Sequence, residues 1–205
     1  MTFRGSSGLV VAPPARISAF LRPALFVAEK IAGKEALPAR LLAHFPKGAV
    51  GAGLFEATAA NGADMEKPDG PRVLAVARIA ASLAAGCPFC VDMNAATWKR
   101  AGLTPEELHA LLANDRATVA TFDDRARTAA RYAEVLSATP VVLDDALVAD
   151  VRRWFSPREI VILATTIAQV NYWSRFSQGL GIPPAGFFDQ EACPAPRAGR
   201  SPAPP

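Results

Sequence analysis

Two of the three cysteines in this 205-residue chain stand close together in Gly86-Cys87-Pro88-Phe89-Cys90, with Asn94 four residues further on. A helix that begins at Pro88 stacks Cys87, Cys90 and Asn94 at i, i+3 and i+7 on one face, so the two sulfurs can meet. Pro88 suits the first turn, where its missing N–H would have had no partner anyway. Unpaired backbone N–H groups and the positive end of the helix dipole favour thiolate over thiol at such a tip, and thiolate is the reactive species. The pattern fits a pair that cycles between dithiol and disulfide. Two cysteines acting as small core residues are the alternative, because free Cys is among the most buried residue types. Half of a zinc site fits less well: a closed zinc site takes four ligands, and beyond the pair the chain offers Cys193, His44 and His109, none at ligand spacing.

Such a pair needs a helical frame, and the rest of the chain supplies one. Apolar residues recur at helical spacing and runs of alternating β-branched residues do not occur, so the fold class is all-α. The pattern predicts helices near 16–32, 36–44, 48–60, 71–85, 88–101, 105–113, 122–138, 144–154 and 157–178. Thr104 with Glu107 and Ser156 with Glu159 each form a capping box ahead of a first-turn proline. Asn-Gly and Pro-Asp-Gly turn signals place the main internal loop at 61–71, which separates an N-terminal helical arm (1–60) from a core (71–182). The Pro-rich stretch 193–205, which takes Cys193 with it, reads as a disordered tail.

Composition narrows the function. Hydrophobic residues make up 51% and charged residues 20%, as in ordinary globular proteins. The 22 Lys and Arg against 19 Asp and Glu are scattered, so no nucleic-acid partner is called for. Three cysteines make no disulfide framework and the N-terminus lacks a secretory pattern, which makes a reducing cytoplasm the expected compartment. No membrane span is expected either, because Arg22, Pro23, Glu29 and Lys30 break up the apolar segment 16–32.

Over residues 72 to 182 the chain resembles the carboxymuconolactone decarboxylase family, in its alkylhydroperoxidase-D-like (AhpD-like) branch. The likeness is strongest in RVLAVARIAASLAAGCPFCVDMNAATWKRAGLTPEEL and SPREIVILATTIAQVNYWSRFSQGLGI. The family motif is a Glu, a C-x-x-C about a dozen residues later, and a His four beyond the second Cys. Here Cys87 and Cys90 match, Asn94 takes the His position, and Ala75 takes the Glu position.

The resemblance implies two pseudo-repeated helical halves, a homo-oligomer (dimer, trimer or hexamer), and no bound cofactor. It further implies a hydroperoxide as the substrate, attacked by Cys90, with Cys87 resolving the sulfenic acid into a disulfide that an external thiol or dithiol reduces. Asn94 can orient Cys90 or a water but cannot titrate, so turnover slower than in complete-motif relatives is expected. The rival readings are a decarboxylase-like lyase, with Arg78, Arg175, Glu159 and the two histidines as its candidate groups, and a helical scaffold without catalysis.

The chain also holds a faded copy of its own motif. Glu159 is followed by Asn171, Ser174 and Gln178 at the spacing of Ala75, Cys87, Cys90 and Asn94. Glu159 is expected to serve its capping box rather than the thiols. His109 is expected in solvent and His44 at the last carbonyls of its short helix. Asp92, roughly 160° from the thiol line on a helical wheel, reads as a surface charge. The mixed run Asp123, Asp124, Arg125, Arg127 and Arg131 reads as a solvated helix face.

Overall fold

The computed structural model describes residues 11–115, 119 and 122–189. Among them there is no strand. The helices are α1 Arg22–Ala32, α2 Leu37–Leu42, α3 Pro46–Ala57, α4 Gly70–Ala84, α5 Pro88–Ala95, α6 Pro105–Leu112, α7 Asp124–Ser137, α8 Asp145–Trp154 and α9 Pro157–Gly179, with 3-10 turns at Ala19–Leu21 and Gly62–Asp64. The tail 193–205 and its Cys193 lie outside the described residues.

Local chemistry sets the boundaries. Both expected capping boxes are formed, with Thr104 and Ser156 accepting the N–H groups of Glu107 and Glu159 while those carboxylates take the cap N–H in return. A third box, Asn61 with Asp64, orders the internal loop that carries no apolar period. The helix expected over 88–101 stops at Ala95. Beyond it the chain passes through turns to Gly102, whose φ of +78° is the left-handed geometry that ends helical runs.

At the centre, α4 is buried through most of its length, contributing Val73, Leu74, Val76, Ala77, Ile79, Ala80 and Ala81. It packs most extensively on α7, and also on α9 and α5. Ala126, Ala129, Ala130 and Ala133 line the facing side of α7, and such small residues let two helices approach closely. Burial of each large side chain such as Leu74 or Ile79 stabilises the fold by roughly 1.5–3 kcal/mol.

One charged residue from the expected solvated run lies inside. Arg125 is 5% exposed, and its guanidinium bonds both oxygens of Glu159, at 3.0 and 3.3 Å, together with Asp69 at 2.9 Å. It also donates to the Trp154 carbonyl and stacks over the Phe155 ring. Arg131 and Arg127, by contrast, are ion-paired near the surface with Asp144 and Asp124.

Candidate active site

The thiol pair sits where one helix ends and another begins. Gly86 adopts φ +65°, and the N–H groups of Gly86 and Cys87 return to the carbonyls of Leu83 and Ser82 at 3.0 and 3.1 Å. This is the paired closure of a Schellman motif, and it stops α4 sharply. Cys87 then caps α5, its sulfur accepting the N–H of Cys90 at 3.2 Å, with Pro88 in the first turn.

The pair shares a proton. Cys87 is pulled from its ordinary 9.0 to about 7, chiefly by the hydrogen bond from the Cys90 thiol; burial opposes this, and the N–H of Cys90 and the Ser174 hydroxyl assist. Cys90 is pushed up, first because its proton is held against Cys87 and then by burial. The acidic sulfur is therefore the one at the helix tip. That order is opposite to the one the family resemblance implies.

Ser174 comes from the far side of the site. Fully buried on α9, it lies with Oγ 3.4 Å from Cys90 Sγ. By sequence, Ser174 stands out only as the counterpart of Cys90 in the faded motif. That shared spacing was the available signal, because equivalent positions of two facing copies meet across the core.

Asn94 stands on the expected face but does not touch either sulfur through its amide. Its Nδ2 donates to the Cys90 carbonyl at 2.9 Å and to Ser82 Oγ at 3.0 Å, and Ser82 in turn donates to the Arg78 carbonyl. Asn94 therefore braces α5 against α4. Gln178, its counterpart, repeats the arrangement by donating to Ser174 O and Ala85 O. The Arg78 guanidinium is turned to the Ala60 carbonyl, and burial lowers its pKa. Half-buried His109 departs from the expected solvent position, and His44 hydrogen-bonds the Ala12 carbonyl. Glu159 serves its cap and Arg125, fifteen residues before Ser174 on one helix, which separates it from the thiols by about 22 Å along the axis.

Both sulfurs are covered, Cys87 being 0% and Cys90 1% exposed. Their neighbours are apolar: Leu41 and Leu37 from the arm, Phe89 and Met93 from α5, Trp173 and Phe176 from α9, and Ile182 and Phe187 beyond it. The segment 182–188 is a strap tied down at both edges. Asp92 accepts the N–H groups of Ala185, Phe187 and Phe188 at 2.8, 3.1 and 2.8 Å. Lys34 donates to the carbonyls of Ala185 and Gly186 and lies over the Phe187 ring. Asp92 is thus a clamp, not the surface charge expected of it; its partners are distant in sequence and invisible to a helical wheel.

Among the described residues no group of three or more His, Cys, Asp or Glu is placed to hold a metal. None of their helices is long and apolar enough to cross a membrane.

Comparison with known proteins agrees with this architecture. Residues 54–135 match the model of the carboxymuconolactone decarboxylase family. The uncharacterized protein YnjA of Escherichia coli K12 is 33% identical over 49% of this chain; the match spans 54% of YnjA, about half its length. Among solved structures, the debrominase Bmp8 superposes with a TM-score of 0.69, both as a cysteine-to-alanine variant with 2,3,4-tribromopyrrole and in the apo form. The variant is 20% identical over 85% of this chain and 91% of its own. A protein of unknown function from Agrobacterium tumefaciens, a candidate antioxidant defence protein AhpD, gives 0.60 at 19% identity over 70% of this chain and 94% of its own.

Proposed function

We propose, from the match of residues 54–135 to the carboxymuconolactone decarboxylase family and the AhpD-like helical fold of the described residues, that the protein is a thiol-dependent oxidoreductase that reduces a hydroperoxide through Cys87 and Cys90. The observation that carries this reading is the N-cap position of Cys87, which accepts a backbone N–H and the Cys90 thiol proton at once and is thereby acidic near neutrality.

In this scheme the Cys87 thiolate attacks the outer oxygen of the hydroperoxide. The O–O bond breaks, the leaving alkoxide takes a proton, and Cys87 becomes a sulfenic acid. Cys90, as thiolate, attacks that sulfur; hydroxide leaves and is protonated to water, and the disulfide forms. Two electrons pass from the thiol pair to the peroxide, and an external thiol or dithiol returns them. The roles of the two sulfurs are exchanged relative to the order the resemblance implies, because the Cys90 thiol, assisted by the N–H groups of the α5 cap, donates to Cys87 and acidifies it. Entry of substrate requires the apolar cover of arm and strap to open.

A second reading has its own support. The superposition with a debrominase at TM-score 0.69, and the apolar lining over the sulfurs, fit a reductive dehalogenation of an organic bromide, in which hydrogen replaces bromine on carbon, bromide and a proton leave, and the same dithiol becomes a disulfide. A lyase fits less well, since Glu159, Arg78 and His44 are each engaged away from the pair. A homo-oligomer remains part of the proposal: Phe20, Phe26, Phe45 and Leu54 are exposed on the N-terminal arm, and sedimentation of the full chain tests it.

The test of function is direct. Reduced protein treated with one equivalent of cumene hydroperoxide should lose both thiol hydrogens by intact mass, with the linkage mapped to Cys87 and Cys90 and the alcohol recovered. Persistence of both free thiols would remove the peroxidase reading; bromide release from a bromopyrrole in the same assay would select the second.

A further inference from the structure

The proposed cycle has a second step that the helix tip does not assist. Cys90 must become a thiolate to attack an oxidised Cys87, yet the N–H groups of the cap, those of Phe89 and Cys90, serve the Cys87 sulfur. In complete-motif relatives a His stands four residues on; here Asn94 donates its amide to Cys90 O and Ser82 Oγ. Of the polar side chains on the described residues, the one brought to Cys90 Sγ from another helix is Ser174.

We infer that Ser174 is a catalytic hydrogen-bond donor for this step: its hydroxyl, 3.4 Å from Cys90 Sγ and itself 0% exposed, stabilises the Cys90 thiolate once Cys87 has been oxidised. The inference rests on the disulfide-forming reading for its place in the cycle. Its geometry is independent of any substrate.

The electrostatics change sign during the cycle. While Cys87 is a thiolate it holds the Cys90 proton, and like charge forbids a second ionisation beside it. When Cys87 is a neutral sulfenic acid that obstacle is gone. Burial then remains as the force against ionisation, and the Ser174 hydroxyl is the group that counters it. In a site lined by Leu41, Phe89, Trp173 and Phe176 no water is needed to complete this bond, and a hydrogen bond to a charged acceptor is worth more in such surroundings than in solvent. Ser174 gives up no net proton. It donates a hydrogen bond while the Cys90 proton departs, the S–S bond forms, and water leaves.

The helix supports the placement. α9 runs unbroken through Ser174, and Gln178 ties that turn to Ala85 at the end of α4, fixing the hydroxyl relative to the thiol loop. Ser177, one turn along the same helix and equally buried, has an Oγ without a hydrogen-bond partner among the described residues, so it serves as a control for lost burial alone.

The test uses the full chain with Cys87→Ser, which leaves Cys90 without its competing thiolate. Thiolate absorbance in the ultraviolet is followed against pH for Cys90 alone, then with Ser174→Ala, Ser174→Thr or Ser177→Ala added. Ser174→Ala should move the Cys90 midpoint up by about one pH unit, a tenfold loss of thiolate at a given pH. Ser174→Thr, which keeps the hydroxyl, should restore most of it, and Ser177→Ala should leave the midpoint in place. In the two-cysteine protein, Ser174→Ala should prolong the life of a dimedone-trappable sulfenic acid once it has formed. An unmoved midpoint in Ser174→Ala, or an equal shift in Ser177→Ala, overturns the inference. Failure of the sulfenic acid to form at all would instead remove the peroxidase reading and leave the titration result standing.

Discussion

Residues 75–94 and 159–178 place their polar and sulfur positions at one spacing, yet the chain passes through them in different ways. In the first region Gly86 turns left-handed, Pro88 restarts the helix and Cys87 is left at a tip; in the second, Val170, Asn171 and Tyr172 occupy the same places and α9 runs straight through. The second region keeps its charge at its start, where Glu159 caps α9 and pairs with Arg125, and holds a serine where the first holds Cys90. Breaking the helix sets the Cys87 sulfur where the Cys90 thiol and N–H both donate to it, and those bonds make it acidic. Continuing the helix gives a girder. On the proposed function, the first region reacts and the second holds.

The sharpest way to break this contrast is Cys90→Ser, which writes into the first region the residue the second already has. Disulfide formation on treatment with hydroperoxide should be lost completely, by intact mass, with little change in urea midpoint. Arg125→Met attacks the other region. It leaves the buried Glu159 unpaired and should cost about 3–5 kcal/mol in urea unfolding while the Cys87 titration stays near 7.

The dependence of stability on pH should separate the two regions again. Burial pushes the Glu159 carboxyl up, but the Arg125 guanidinium and the N–H groups of Ser156 and Glu66 outweigh it and hold the group below its ordinary 4.5. Its contribution is present above 4.5 and lost as pH falls through the lowered value. The thiols act at the alkaline end. Between about 7 and 9.0 the folded pair has released a proton that the unfolded chain still holds, so stability should rise by up to about 2 kcal/mol; above 9.0 the unfolded chain releases both protons and the folded pair one, and stability should fall. Cys87→Ser should flatten that maximum and leave the acid limb unchanged.

Smaller effects sharpen the picture. A Cβ at Gly86 would meet nothing within 4 Å, so Gly86→Ala should cost only the strain of its left-handed backbone, about 1–2 kcal/mol by thermal unfolding. Asp92→Asn weakens the strap without touching either sulfur and should speed iodoacetamide labelling of Cys87 by about threefold. Slower labelling would mean that the strap is not the way in.

Much of this was readable from residue order. The capping boxes at Thr104 and Ser156, the helix start at Pro88, the meeting of the two thiols and the capping role of Glu159 are local devices, encoded within a few residues. What escaped was chemistry between distant segments. Asp92 looks like a surface charge until the strap arrives from residues 185–188, and Arg125 looks solvated until Glu159 and Asp69 fold against it. Cover over the sulfurs is equally non-local, since Leu41 and Phe187 lie far apart in the chain. A wheel reports which side of a helix a residue takes, not what comes to lie there.

The strap has a consequence for biosynthesis. The ribosome delivers Cys87 and Cys90 well before it delivers residues 182–188, so the nascent chain carries the Cys87 sulfur unroofed while α6 to α9 are still being made. A stalled or prematurely released polypeptide would keep that sulfur open to any passing oxidant, and only the completed chain can put on the lid.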